Sequence, residues 1–159
     1  MLSTLIVCIG NDLAADDGVG HAIFERLTSE DLPTGTRTRL LGVGGMALLD
    51  ELDGEDLLVV VDAVQLGYEP GTIHILDWNQ LPPVTLRPVS GHGIGIREAI
   101  GVAQRLFPEK TPQQVYLVGI EGKCFDQLGA GLSPEVADAV DIAVSKVLHL
   151  VDSSNRDTL

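Results

Sequence analysis

Three separate segments of the chain place acidic or imidazole side chains where they could do chemistry. Asp16 and Asp17 stand side by side in Leu5-Ile-Val-Cys-Ile-Gly-Asn-Asp-Leu-Ala-Ala-Asp-Asp-Gly-Val-Gly20, just after a short apolar run. Asp62 closes Leu58-Val-Val-Val-Asp62, where an unbroken apolar stretch suddenly yields a carboxylate. His92 lies in Ser90-Gly-His-Gly-Ile-Gly95, a glycine-rich turn ahead of a helical pattern. Two carboxylates and one imidazole make an O/O/N ligand set with room for an outside ligand. Such a set suits nickel, zinc, manganese or iron, and suits copper(I) or an iron–sulfur cluster poorly. Each piece also has a plainer reading. An acid pair at a helix start is favoured by exposed N–H groups, a strand-end Asp caps a turn, and a loop His is often a surface residue. Their convergence on one sheet edge, from three different loops, favours a site.

Competing chemistries fit less well. Ser90 sits in Pro88-Val-Ser-Gly-His92 without a Gly-x-Ser-x-Gly elbow, and Ile9-Gly-Asn-Asp-Leu-Ala-Ala matches no phosphate-binding fingerprint. Asp16 and Asp17 are sequence neighbours whose side chains should diverge, so a proton-sharing dyad would have to pair Asp17 with Asp62 across loops. Cys124 has no His nearby in sequence. Among the remaining histidines, His21 falls one turn into the first helix and is expected to support Asp17. His74, mid-strand in Thr72-Ile-His-Ile-Leu76, is expected to face solvent, and His149 to lie on the surface of the last helix.

Positioning these side chains requires strands that end at a common edge. Thr4–Ile9, Thr36–Leu41, Leu57–Val61 and Val115–Ile120 read as strands, with Thr72–Leu76 returning antiparallel after the Glu69-Pro70-Gly71 turn. Helical patterns run over about Gly18–Ser29, from the Gly44-Gly45 opening through Leu52, over about Gly93–Leu106, and from the Ser133-Pro134 cap to about Val151. The alternation predicts a three-layer α/β domain: a mostly parallel twisted sheet of about five strands, one edge strand antiparallel, with helices on both faces. A single domain is expected over 1–152, with a disordered tail over 153–159.

Composition narrows the function further. The chain has 159 residues and a formal charge of −13, with ten Lys and Arg against 23 Asp and Glu. Such a surface repels phosphate and anionic lipid, which disfavours nucleic-acid and membrane roles. The two cysteines, Cys8 and Cys124, lie far apart, and Cys8 reads as a core residue. The first apolar run is too short for a secretory signal, so a cytoplasmic location is expected.

Taken together, Ile9-Gly-Asn-Asp-Leu-Ala-Ala-Asp-Asp-Gly-Val-Gly20, Val59-Val-Val-Asp-Ala63, Pro70-Gly-Thr72 and Ser90-Gly-His92 resemble the hydrogenase maturation endopeptidases in order and spacing. So do Val118-Gly-Ile-Glu121 and Leu132-Ser-Pro-Glu-Val136, and the likeness spans most of the chain. One departure stands out: the glutamate matching Glu121 is usually followed by Pro, and here Gly122 follows.

The resemblance implies an endopeptidase that removes a short C-terminal peptide from the precursor of a nickel-iron hydrogenase large subunit. Nickel already seated in that precursor would be the recognition signal, with no organic cofactor. The family's metal-binding residues fall on Asp17, Asp62 and His92, and Asp17 and Asp62 are the candidates for the catalytic base. Two rivals remain at this point: a nickel-sensing chaperone of the precursor that does not cut it, and a doubly wound domain binding a small molecule.

Overall fold

Strands buried on both faces read as unbroken apolar runs, and Leu57-Leu-Val-Val-Val-Asp-Ala-Val64 is the strongest such run here. The computed structural model describes residues 1–42, 45–80 and 95–158. Among these, the run forms β3 (Leu57–Val64) at the middle of a five-stranded sheet with β1 (Thr4–Ile9), β2 (Thr36–Leu41), β4 (Ile73–Asp77) and β5 (Gln114–Glu121). The strand order is β2-β1-β3-β5-β4. Four strands are parallel, and β4 pairs antiparallel with β5 at one edge, as the short return from β3 predicts.

Alternate residues of β3 feed two cores. Leu57, Val59, Val61 and Ala63 pack toward α1 (Val19–Leu27) and α4 (Pro134–Asp157), against Ile23, Leu27, Val140 and Val144. Leu58, Val60 and Val64 face α2 (Ala47–Glu51) and α3 (Ile96–Leu106), against Leu48, Leu52, Ile100 and Ala103. Helices thus cover both faces of the sheet, and Cys8 lies in the core on the α1/α4 side.

Two elements run further than their sequence pattern suggests. β3 continues to Val64, so Asp62 lies inside the strand, in register with Gly119 of β5, rather than at its end. α4 continues to Asp157, so most of the tail expected to be disordered is helical. The physical reason is a long-range anchor: the Leu2 backbone N–H donates to Asn155 Oδ1 at 2.8 Å, which holds the last turns of α4 against the start of β1.

Topology sets where a ligand can sit. β1 leads through α1 to β2 on one side, whereas β3 leads on to β4 and β5 on the other. Strand order therefore reverses between β1 and β3. Open α/β sheets hold their ligands outside the carboxyl ends of strands at such a reversal.

Candidate active site at the carboxyl edge

The chain leaving β1 folds back on itself so closely that two glycines are required. A Cβ on Gly10 would collide with the Asp17 carbonyl oxygen, and one on Gly20 with that of Ile9. Between them a short 3₁₀ turn, Ala15–Gly18, carries both acids. It begins on Ala15 at φ 50°, the left-handed region that costs a non-glycine residue about 1–2 kcal/mol. The turn is closed by Asp17 N–H on Ala14 O at 3.0 Å, and Asn11 N–H donates to Asp17 Oδ2 at 3.2 Å.

This strained turn sends the two neighbouring carboxylates to different surroundings. Asp16 is fully buried (0 % exposed) and its oxygens are crowded with donors. Oδ2 accepts from Lys123 N–H at 2.7 Å and Cys124 N–H at 2.9 Å, and Oδ1 accepts from Ser133 N–H at 2.7 Å. The Ser133 hydroxyl reaches both oxygens, at 3.0 and 2.9 Å. Burial opposes ionisation of Asp16, but these bonds from Ser133, Cys124 and Lys123 outweigh it and hold the carboxyl below its ordinary range. Ser133 stands at the N-cap position of α4, yet its hydroxyl serves Asp16 rather than capping the helix.

Asp17, 3 % exposed, accepts from Asn11 on the β1 side, and its charge reaches Asp62. Burial first, then the charge of Asp17, push the Asp62 carboxyl well above its ordinary range, and the Ala63 N–H bond at 2.8 Å offsets this only in part. Two carboxylates set against each other at the reversal of strand order form an arrangement unfavourable for folding alone. It suits a site that receives a positive charge or a proton. The Cys8 thiol beneath it is pushed up to about 12, by burial and by Asp62, and so is no nucleophile.

The structure thus brings Asp17 and Asp62 together, one from the β1 turn and one from β3. His92 lies outside the described residues. His21 pairs with Asp12 at 3.9 Å and with Glu25 at 3.7 Å, not with Asp17 as the sequence suggests. His74 does not face solvent. Its side chain is 12 % exposed, its Nε2 lies 3.2 Å from Glu121 Oε1, and Tyr68 stacks edge-on at 4.8 Å. Glu121 explains the inward turn: this carboxylate, 1 % exposed at the end of β5, also accepts the Leu66 N–H at 2.8 Å and needs a second partner. Glu121 carries the same signal that exposed Asp62, an acid interrupting an apolar run. His149 is exposed on α4, as expected.

A doubly wound α/β fold with opposed acids at its switch point narrows the protein to a class, and comparison with known proteins names the family. A profile of the hydrogenase maturation protease family matches residues 40–150. The hydrogenase expression/formation protein HupD of Rhodobacter capsulatus is 31% identical over 147 residues, 91% of this chain and 69% of that protein. The fold superposes on the hydrogenase maturating endopeptidase HybD from E. coli with a TM-score of 0.83 at 27% identity, covering 96% of this chain and 94% of that one. HybD from Thermococcus kodakarensis, a [NiFe] hydrogenase maturation protease, gives 0.77 at 26% identity, covering 94% and 99%. The chain belongs to the hydrogenase maturation protease family, and is a peptidase.

Proposed function

We propose that this peptidase removes the C-terminal peptide from a nickel-iron hydrogenase large-subunit precursor once nickel has been inserted. The observation that carries the reading is the electrostatic opposition of buried Asp17 and half-buried Asp62 at the reversal of strand order in a chain of this family. Among the described residues no helix is long and apolar enough to cross a membrane.

Asp17 and Asp62, with His92, are the residues assigned to meet the nickel of the precursor, which enters with the substrate and not as a resident cofactor. Carboxylate oxygens and an imidazole nitrogen suit that metal. Approach of a cation would relieve the repulsion between Asp17 and Asp62 and favour ionisation of Asp62. One acid carrying a proton beside one that does not is also the pairing general acid–base chemistry needs at the scissile bond. The roles of base and ligand are therefore assigned to the same two side chains.

The test uses the purified chain with nickel-loaded and metal-free large-subunit precursor from the same cell, read by mass spectrometry. A C-terminally shortened product only with the nickel-loaded precursor is expected. Cleavage of both precursors would remove nickel from the recognition step. Stable binding without mass loss would make the protein a chaperone.

A further inference from the structure

We propose that Asp16 is a positioning residue that holds Asp17 in its orientation toward Asp62 and ties that orientation to the 123–133 segment at the same sheet edge. The inference rests on the role proposed above for Asp17. It concerns the other member of the acid pair, which the plainest reading leaves as a spare helix-start charge.

The first observation is saturation. Every strong bond of the Asp16 carboxylate goes to groups more than a hundred residues away in the chain, on Lys123, Cys124 and Ser133. Both oxygens are occupied and the side chain is enclosed, so Asp16 is not available to a metal or a substrate. The second observation is independent of it. Ala15 is the only described non-glycine residue with positive φ, a conformation that persists only where the surroundings impose it.

The surroundings that impose it come from the same distant segment. Asp16 N–H donates to Cys124 O at 2.9 Å, Gly129 N–H to Leu13 O at 2.8 Å, and Ala14 pairs with Leu128 in an isolated antiparallel bridge. Ala15 is thus held from both flanks. The two neighbouring carboxylates part company on this turn: Asp16 bonds into the 123–133 segment, while Asp17 Oδ2 accepts the Asn11 N–H on the β1 side. Releasing Asp16 lets the turn rotate toward ordinary backbone angles, and Asp17 rotates with it. Residues that orient a ligand or a base in this way typically matter at the 10- to 100-fold level, roughly as second-layer partners of metal ligands do.

The Asn11 N–H, which donates to Asp17 Oδ2, reports this orientation without any substrate. Asp16→Asn keeps the shape but turns an amide N–H₂ toward groups that are themselves donors. Ser133→Ala removes one donor and leaves the acid, so it serves if the first variant folds poorly. In Asp16→Asn, hydrogen exchange of the Asn11 amide should accelerate about tenfold or more while the β3 amides keep their protection. Its kcat on nickel-loaded precursor should fall about 10- to 100-fold with KM changed less than about threefold, and Ser133→Ala should shift both readouts in the same direction by less. Unchanged Asn11 exchange, or activity that falls only with the folded fraction, would overturn the clamp. A wild-type chain that cuts no precursor would overturn the proposed function alone, because the exchange experiment still judges Asp16.

Discussion

Asp16 and Asp17 are adjacent in sequence, yet one occupies a pocket of donors and the other faces a second acid. Around Asp16 the protein supplies backbone N–H groups and a hydroxyl, and the carboxyl ionises more readily than usual. Around Asp17 and Asp62 it supplies burial and like charge, and Asp62 resists ionisation. The first arrangement stabilises the fold. The second opposes it and persists because the rest of the sheet is strong enough to carry it. The difference separates what an acid does for structure from what it does for chemistry, and each variant below tests one side of it.

The largest effect belongs to the opposed pair. Asp17→Ala and Asp62→Ala should each lower precursor cleavage by about 1,000-fold or more with the circular dichroism spectrum unchanged, measured by mass-spectrometric time courses. On the clamp side the loss is stability. Asp16→Ala takes the shared acceptor from three part-buried N–H groups and should reduce the unfolding free energy by about 1–3 kcal/mol in urea titrations. Gly10→Ala drives a methyl into the Asp17 carbonyl and should lower stability by about 2–3 kcal/mol, read the same way.

Asp62→Asn should do the opposite of a damaging core change, raising stability at neutral pH by about 1–2 kcal/mol while abolishing cleavage. The pH dependence follows from the two directions of shift. Asp16, lowered from 3.8, contributes stability above that value that is lost as pH falls through its folded pKa. Asp62, raised from 3.8, loses stability as pH climbs above that value through its folded pKa. The advantage of Asp62→Asn over wild type should therefore grow from pH 4 upward and vanish in acid, in urea titrations across that range. The smallest effect is at the thiols. Native protein should react with a thiol reagent at Cys124 and not at buried Cys8, and both should react in denaturant.

Much of this was legible in the residues because the information was local. β3 announces itself as a strand buried on both faces, and Asp62 as a charge breaking that run. The strained turn brings Asp17 to Asp62 but is signalled beforehand only by the Gly10-Asn11 start and the acid doublet. The partners of Asp16 were not legible: Lys123, Cys124 and Ser133 reach it through the tertiary fold, and Ser133 had an adequate local explanation as a cap. His74 misled for a related reason. An edge strand normally turns one face to water, and only the register of β4 on β5 places Glu121 within its reach. The end of α4 depends on Asn155 meeting Leu2, a contact that no nearby residue foretells.

That last contact has a practical side. Because Leu2 and Asn155 touch, the two ends of the chain meet beside the start of β1, at the edge of the sheet opposite the acids. A short Gly/Ser bridge between them, with new ends opened at the exposed Glu30–Asp31 turn, should yield a circular permutant that folds and keeps the acid pair in place. Affinity tags or reporter domains fused at either end would stand on that same far side, leaving the approach of a large precursor unobstructed.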